Sequence, residues 1–254
     1  MDFLLECIGF PPEYDHDGLP DLVRQLGEAT PWRDPDGADR RLALGGGLEL
    51  RLDEGDQLAG PDVWPFYASP GRLRLAVDSV DLIPDAPFDG LLRGLANPPR
   101  PGFANSETSF RFTTWVGDRR RLPRPLESGH VLAVSTAGFA LDIAQVGGRP
   151  RGLRPEGRIS PLGGDEDPGG CVELHLPILA AEELENPITG LAVQRLEVHA
   201  PGTPLSVFVS RWQLEADGLR TPAVGDWLRG TFLFSGRISG GLPSPTRRLG
   251  RAFG

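Results

Sequence analysis

The first apolar run of the chain, Phe3 to Phe10, is short and nearly continuous, and it predicts a buried strand. After the polar loop from Pro11 to Gly18 come Leu19, Leu22, Val23 and Leu26. Their three- and four-residue spacing predicts a helix with one apolar stripe, Asp17 as its cap, Pro20 in its first turn and Gly27 at its end. From there the period changes to two. Arg41 to Leu44, the triplet Gly45-Gly46-Gly47, and Leu48 to Asp53 read as two half-buried strands of a hairpin, with leucine alternating with charge. Arg72 to Val77 repeats that alternation, and a short helix is expected around Phe88 to Leu95.

Prolines and a glycine at Pro98-Pro99-Arg100-Pro101-Gly102 disfavour regular structure and mark a boundary. Beyond it, Ser109 to Val116 reads as a strand, His130 to Val134 with Gly138 to Ala144 as a hairpin, and Cys171 to Leu176 as a further strand. The last apolar runs, Gly190 to His199, Pro204 to Leu214 and Asp226 to Ile238, predict a three-stranded antiparallel meander with Val207, Val209, Phe232 and Phe234 in its core.

The chain therefore reads as an α+β, β-rich protein with mostly antiparallel sheets. Its parts are two βαβββ-like modules over residues 1–102 and 103–185, a C-terminal meander over 186–242, and a flexible tail over 243–254. Leu42 to Leu50 and Leu132 to Leu141 could be equivalent strand pairs of a duplicated module, an alternative the spacing leaves open.

Composition agrees with many short elements: 34 glycines and 26 prolines in 254 residues disfavour a helical bundle and carry no collagen period. The net charge of -9 removes any general attraction to nucleic acid or anionic lipid. All 26 basic residues are arginine, so Schiff-base and Walker-type lysine chemistry is excluded. Two distant cysteines, Cys7 and Cys171, each in an apolar run, read as buried thiols of a reducing compartment. With no secretory signal and no apolar stretch approaching ~20 residues, a cytoplasmic location without membrane contact is expected.

Candidate chemistry is sparse. Glu173-Leu174-His175 and Glu197-Val198-His199 are two Glu-x-His tripeptides on expected strands, where period-two geometry puts each Glu and His on one face. On neighbouring strands these four could meet around zinc, manganese or iron; on a solvent-facing sheet they need have no role. The acidic loops at Asp34-Pro35-Asp36-Gly37 and Gly164-Asp165-Glu166-Asp167 read as turns. The runs Arg119-Arg120-Arg121 with Arg124, and Arg247, Arg248 and Arg251, read as solvated loops. Trp64-Pro65-Phe66-Tyr67, the densest aromatic group, is expected on a loop, packed into the core or lining a pocket. No serine or cysteine stands in a spacing that marks nucleophilic catalysis.

The run Phe3 to Phe10, the helix to Leu26 and the Leu42 to Asp53 hairpin together resemble a module of the vicinal-oxygen-chelate fold, the glyoxalase and bleomycin-resistance class. The resemblance implies a cavity between paired modules and metal ligands on first and last strands. Glu6 matches such a position, but no histidine accompanies it, and Ser109 to Trp115 offers only hydroxyls. Separately, Leu205 to Ile238 resembles the C-terminal segment of an uncharacterised bacterial family, which lends no function. The function expected from the residues is a non-catalytic cytoplasmic module that binds a small molecule or a protein partner without a cofactor. The alternative is a metal-dependent lyase or dioxygenase of vicinal-oxygen-chelate type, with a divalent transition metal held by Glu173, His175, Glu197 and His199.

Overall fold

Strand after strand buries every second residue, as in Leu73, Leu75 and Val77 beside exposed Arg74 and Asp78, and this alternation forces sheets that are wet on one face only. The computed structural model describes residues 3–29, 37–55, 61–83, 86–99, 107–123, 125–149, 151–152, 156–163 and 169–243. It is β-rich and mostly antiparallel.

The chain opens with a single helical turn, α1 (Phe3–Glu6), and then α2 (Leu19–Leu26). Four strands form a small antiparallel sheet in sequence order: β1 (Glu28–Ala29), β2 (Gly37–Gly45), β3 (Leu48–Gly55) and β4 (Asp62–Tyr67). The second sheet has nine strands: β5 (Leu73–Ile83), β6 (Ala86–Ala96), β7 (Phe110–Val116), β8 (His130–Gly147), β9 (Arg158–Pro161), β10 (Val172–Glu185), β11 (Ala192–Ala200), β12 (Thr203–Ser210) and β13 (Trp227–Gly240). A short helix, α3 (Arg211–Ala216), follows β12.

Eight of the nine strands close on themselves twice, with β9 added at the edge of β10. β8 and β13 pair antiparallel along almost their whole length, from Trp227 opposite Gly147 to Gly240 opposite Ala133. The free edge of β8 takes β5 at His130 to Val134 and then β12 at Ala137 to Phe139. The free edge of β13 takes β10 at Trp227 to Phe232 and then β7 at Ser235 and Gly236. With β5–β6, β6–β7, β10–β11 and β11–β12 pairings, this makes two closed rings that share one long ribbon. The first ring is β8-β5-β6-β7-β13; the second is β8-β12-β11-β10-β13. Closure leaves few open edges, which is one way a β-rich chain avoids edge-to-edge association.

The first interior is filled by Leu75, Leu92, Phe112, Leu132, Val134 and Ile238, and the second by Leu174, Leu176, Val198, Val207 and Phe232, all at 2% exposure or less. Phe234 stands where the interiors meet, edge-on to Phe112 at 4.9 Å on one side and facing Gly138 and Val207 on the other. The small sheet lies outside this pair, joined by Tyr67 edge-on to Phe208 at 5.0 Å and by Trp64 against Trp115 at 5.5 Å.

Several expectations are corrected. Phe3 to Phe10 is a helical turn followed by turns closed by local backbone bonds, from Ile8 N to Leu5 O and from Gly9 N to Glu6 O, while Asn186 Nδ2 and Thr189 Oγ1 from far along the chain donate to the carbonyls of Ile8 and Gly9, so no strand partner is needed. A βαβββ module therefore lacks its first strand. The segment around Phe88 to Leu95 is β6, not a helix. His130 to Ala144 is not a hairpin but part of one strand. Ser135, Thr136, Ala137 and Gly138 resemble a turn, yet all are buried, with Ser135 Oγ donating to Ser69 O at 2.7 Å and Thr136 Oγ1 bonded to Thr114 Oγ1 at 2.8 Å. The C-terminal meander is broken, since β12 lies parallel to β8 and ends at Ser210, while β13 pairs elsewhere. The sheet also runs across the boundary expected at residue 102, through the β6–β7 pairing. Of the expected tail, residues 244–254 lie outside the described residues.

Candidate functional site

On the outer face of the second ring, four neighbouring strands place polar residues in register. Opposite His175 on β10 stand Arg158 on β9 and Arg229 on β13, and opposite Arg229 stands Gln145 on β8. Two residues along, Glu173 faces Ser160 on one side and Thr231 on the other, and Thr231 faces Asp142. The alternation of β10 explains the outward set: Val172, Leu174 and Leu176 go into the ring, so Glu173 and His175 must point out. The result is a cationic row and a parallel row of acids and hydroxyls, about 7 Å apart along the strands.

Asp142, Arg158, Ser160, Glu173, His175, Arg229 and Thr231 line an open groove of about 240 Å³. Asp142, Arg158, Glu173 and Arg229 are exposed, and among the described residues none of them is held in a side-chain hydrogen bond or ion pair. The opposite charges stand diagonally across the strands without neutralising one another. His175 is half-buried, its ring edge-on to Trp227 at 5.8 Å, and its Nε2 is shielded from water without a hydrogen-bond partner. Burial, helped by the Arg229 charge, pushes the His175 pKa below the usual imidazole value. Arg149 lies over the Trp227 ring, 5.8 Å from its centre. Two guanidinium groups, of Arg158 and Arg229, thus line one groove in a protein whose net charge is -9.

Of the four expected metal ligands, Glu173 and His175 share this groove and Glu197 and His199 do not. β10 and β11 are neighbours as the reading required, but Glu197 stands opposite Ala180, seven residues or roughly 23 Å of extended strand beyond Glu173. Their register is set by the turn at Asn186 to Gly190 and a bulge near Leu179, neither of which the Glu-x-His spacing encodes. Among the described residues no three His, Cys, Asp or Glu side chains gather in a group suited to a metal ion.

The other candidates have structural places. Trp64 to Tyr67 lie in β4 rather than in a loop, with Trp64 and Tyr67 buried. Trp64, Pro65 and Phe66, with Arg51, Asp53, Asp89 and Trp115, line a cavity of about 10 Å³, room for one water and no ligand. Arg119 is buried with Nε donating to Asp89 O at 2.8 Å, and Arg121 donates to Ile238 O at 2.8 Å, so these arginines brace loops against the first ring. Arg124, Arg247, Arg248, Arg251 and most of both acidic loops lie outside the described residues. Cys7 is fully buried beneath β8, and its thiol is pushed far above its ordinary pKa by desolvation. His16 and His130 each bond a backbone carbonyl, of Pro11 and Gly241.

Arg158, Arg229, Asp142 and Thr231 were missed by sequence reasoning. Their only local signal is alternation on strands, and partnership across four strands depends on register. No family model, curated protein or solved structure matches the chain. No helix among the described residues is long and apolar enough to cross a membrane.

Proposed function

We propose that the protein is a non-catalytic binding module whose groove on β8, β9, β10 and β13 takes the anionic group of a small molecule. The observation that carries this reading is the pair Arg158 and Arg229 flanking His175 in register on the groove face, with both guanidinium groups exposed and unengaged. Arginine forks suit phosphate and carboxylate oxygens, and an anion seated between them would gain charge-assisted hydrogen bonds. A binding role is favoured over catalysis because the His175 Nε2 contacts neither Ser160 nor Thr231, so neither hydroxyl is activated as a nucleophile.

The test is calorimetric titration of the intact protein with inorganic phosphate and with citrate. Arg229→Gln and Arg158→Gln, both on an exposed sheet face, should each weaken binding about tenfold or more at unchanged thermal stability. Absence of binding by both anions, or binding that ignores both substitutions, would overturn the proposal.

A further inference from the structure

The second row of the groove specifies more than an anion. Glu173, Ser160, Thr231 and Asp142 run parallel to the cationic row, and a site meant for a bare anion gains nothing from two carboxylates so close. Like charge there repels phosphate, so the acids must serve another part of the occupant. Unpaired carboxylates facing solvent in a shallow polar groove are strong acceptors for hydroxyl groups, and Ser160 and Thr231 add hydroxyls that both donate and accept. An apolar or aromatic ligand finds little here, since Trp227 is only 6% exposed and Leu174 only 2%.

We infer that the groove binds a polyhydroxylated anion of the sugar phosphate class, its phosphate between Arg158 and Arg229 and its hydroxyls on Glu173, Thr231 and Asp142. The spacing fits. The rows stand about 7 Å apart, and a pyranose ring with its exocyclic phosphate spans a comparable length. The inference rests on the groove being the binding site proposed above.

The experiment compares inorganic phosphate, glucose and glucose 6-phosphate by calorimetry on the native protein, Glu173→Ala and Arg229→Gln. Glucose 6-phosphate should bind the native protein at least about tenfold more tightly than inorganic phosphate. Glu173→Ala should abolish that preference while binding inorganic phosphate as well as or better than the native protein, because a repelling charge is gone. Arg229→Gln should weaken both anions alike. If inorganic phosphate and the sugar phosphate bind equally to the native protein, or if Glu173→Ala weakens both in parallel, the sugar phosphate assignment fails while the anion site stands. If neither binds, both fail. Glu173 is exposed and outside the core, so its truncation leaves the fold intact, which the urea midpoint of each variant checks.

Discussion

Gly138 is where the shared ribbon permits the two interiors to meet. A Cβ at this position would lie 2.8 Å from Phe234 Cζ and 2.9 Å from Val207 Cγ1, and both neighbours are fully buried. Carbon atoms rest at about 3.5–4.0 Å, so the ring and the methyl would each have to withdraw by at least roughly 0.6 Å into packed surroundings. The backbone of Gly138 is not left-handed, so alanine brings no conformational strain and the penalty is purely one of overpacking. Gly138→Ala should therefore cost about 2 kcal/mol, in the range of about 1–3 kcal/mol for an added methyl in a full core. That corresponds to a Tm lower by about 4–8 °C for a chain of this size. The assay is urea denaturation of the native protein, Gly138→Ala, Phe234→Leu and the double variant. Phe234→Leu removes the ring atom in the way, so the double variant should be more stable than the sum of the single effects by about 1 kcal/mol. If the effects add within ~0.5 kcal/mol, or if Gly138→Ala alone costs less than that, the close approach at the ring junction does not hold.

Four further outcomes follow from single contacts. Ser210 Oγ accepts from Gln213 N at 3.1 Å while Gln213 Oε1 accepts from Ser210 N at 3.2 Å, so Ser210→Ala should destabilise by about 1 kcal/mol, read by thermal melts. Asp118 accepts from Ile238 N at 2.9 Å and from Arg121, yet desolvation holds its pKa above the usual value; Asp118→Ala should cost about 1–3 kcal/mol, and Asp118→Asn, which keeps an acceptor and sheds the buried charge, clearly less. Because the His175 pKa is depressed in the fold, its share of stability is present above the ordinary imidazole value near ~6.5 and is lost as pH falls through the folded value; urea midpoints at neutral and mildly acid pH should converge toward a flatter profile in His175→Gln. The same ring faces Arg158 and Arg229 across the strands, with Glu173 on its own strand, so an anion that screens the arginines should raise its pKa and bind more tightly as pH falls, unless the ligand itself protonates in that range.

Local pattern alone determined the elements whose stability is local. Leu19, Leu22 and Val23 gave the helix its apolar stripe, though Leu26, expected on it too, is exposed, and the helix runs from Leu19 to Leu26 as read; its cap differs, since Gly18 stands at its start without a side-chain cap, and Asp15, not Asp17, accepts the Gly18 amide in the turn just before it. The hairpin around Gly45-Gly46-Gly47 is equally local, because its turn needs three positive φ angles that glycine adopts freely. Pairing between distant strands was decided only by the tertiary structure. A strand's alternation says which residues point inward but not which edge they meet, so the parallel docking of β12 on β8 and the divided edges of β8 and β13 left no trace in the spacing. Where both faces of β8 are covered, from Val134 to Ala140, alternation disappears, and small residues needed for close packing imitate a turn. The groove shows the same division. Glu173 and His175 were legible together because they share one strand, whereas Arg158, Arg229 and Asp142 reach them only through register between strands far apart in the chain.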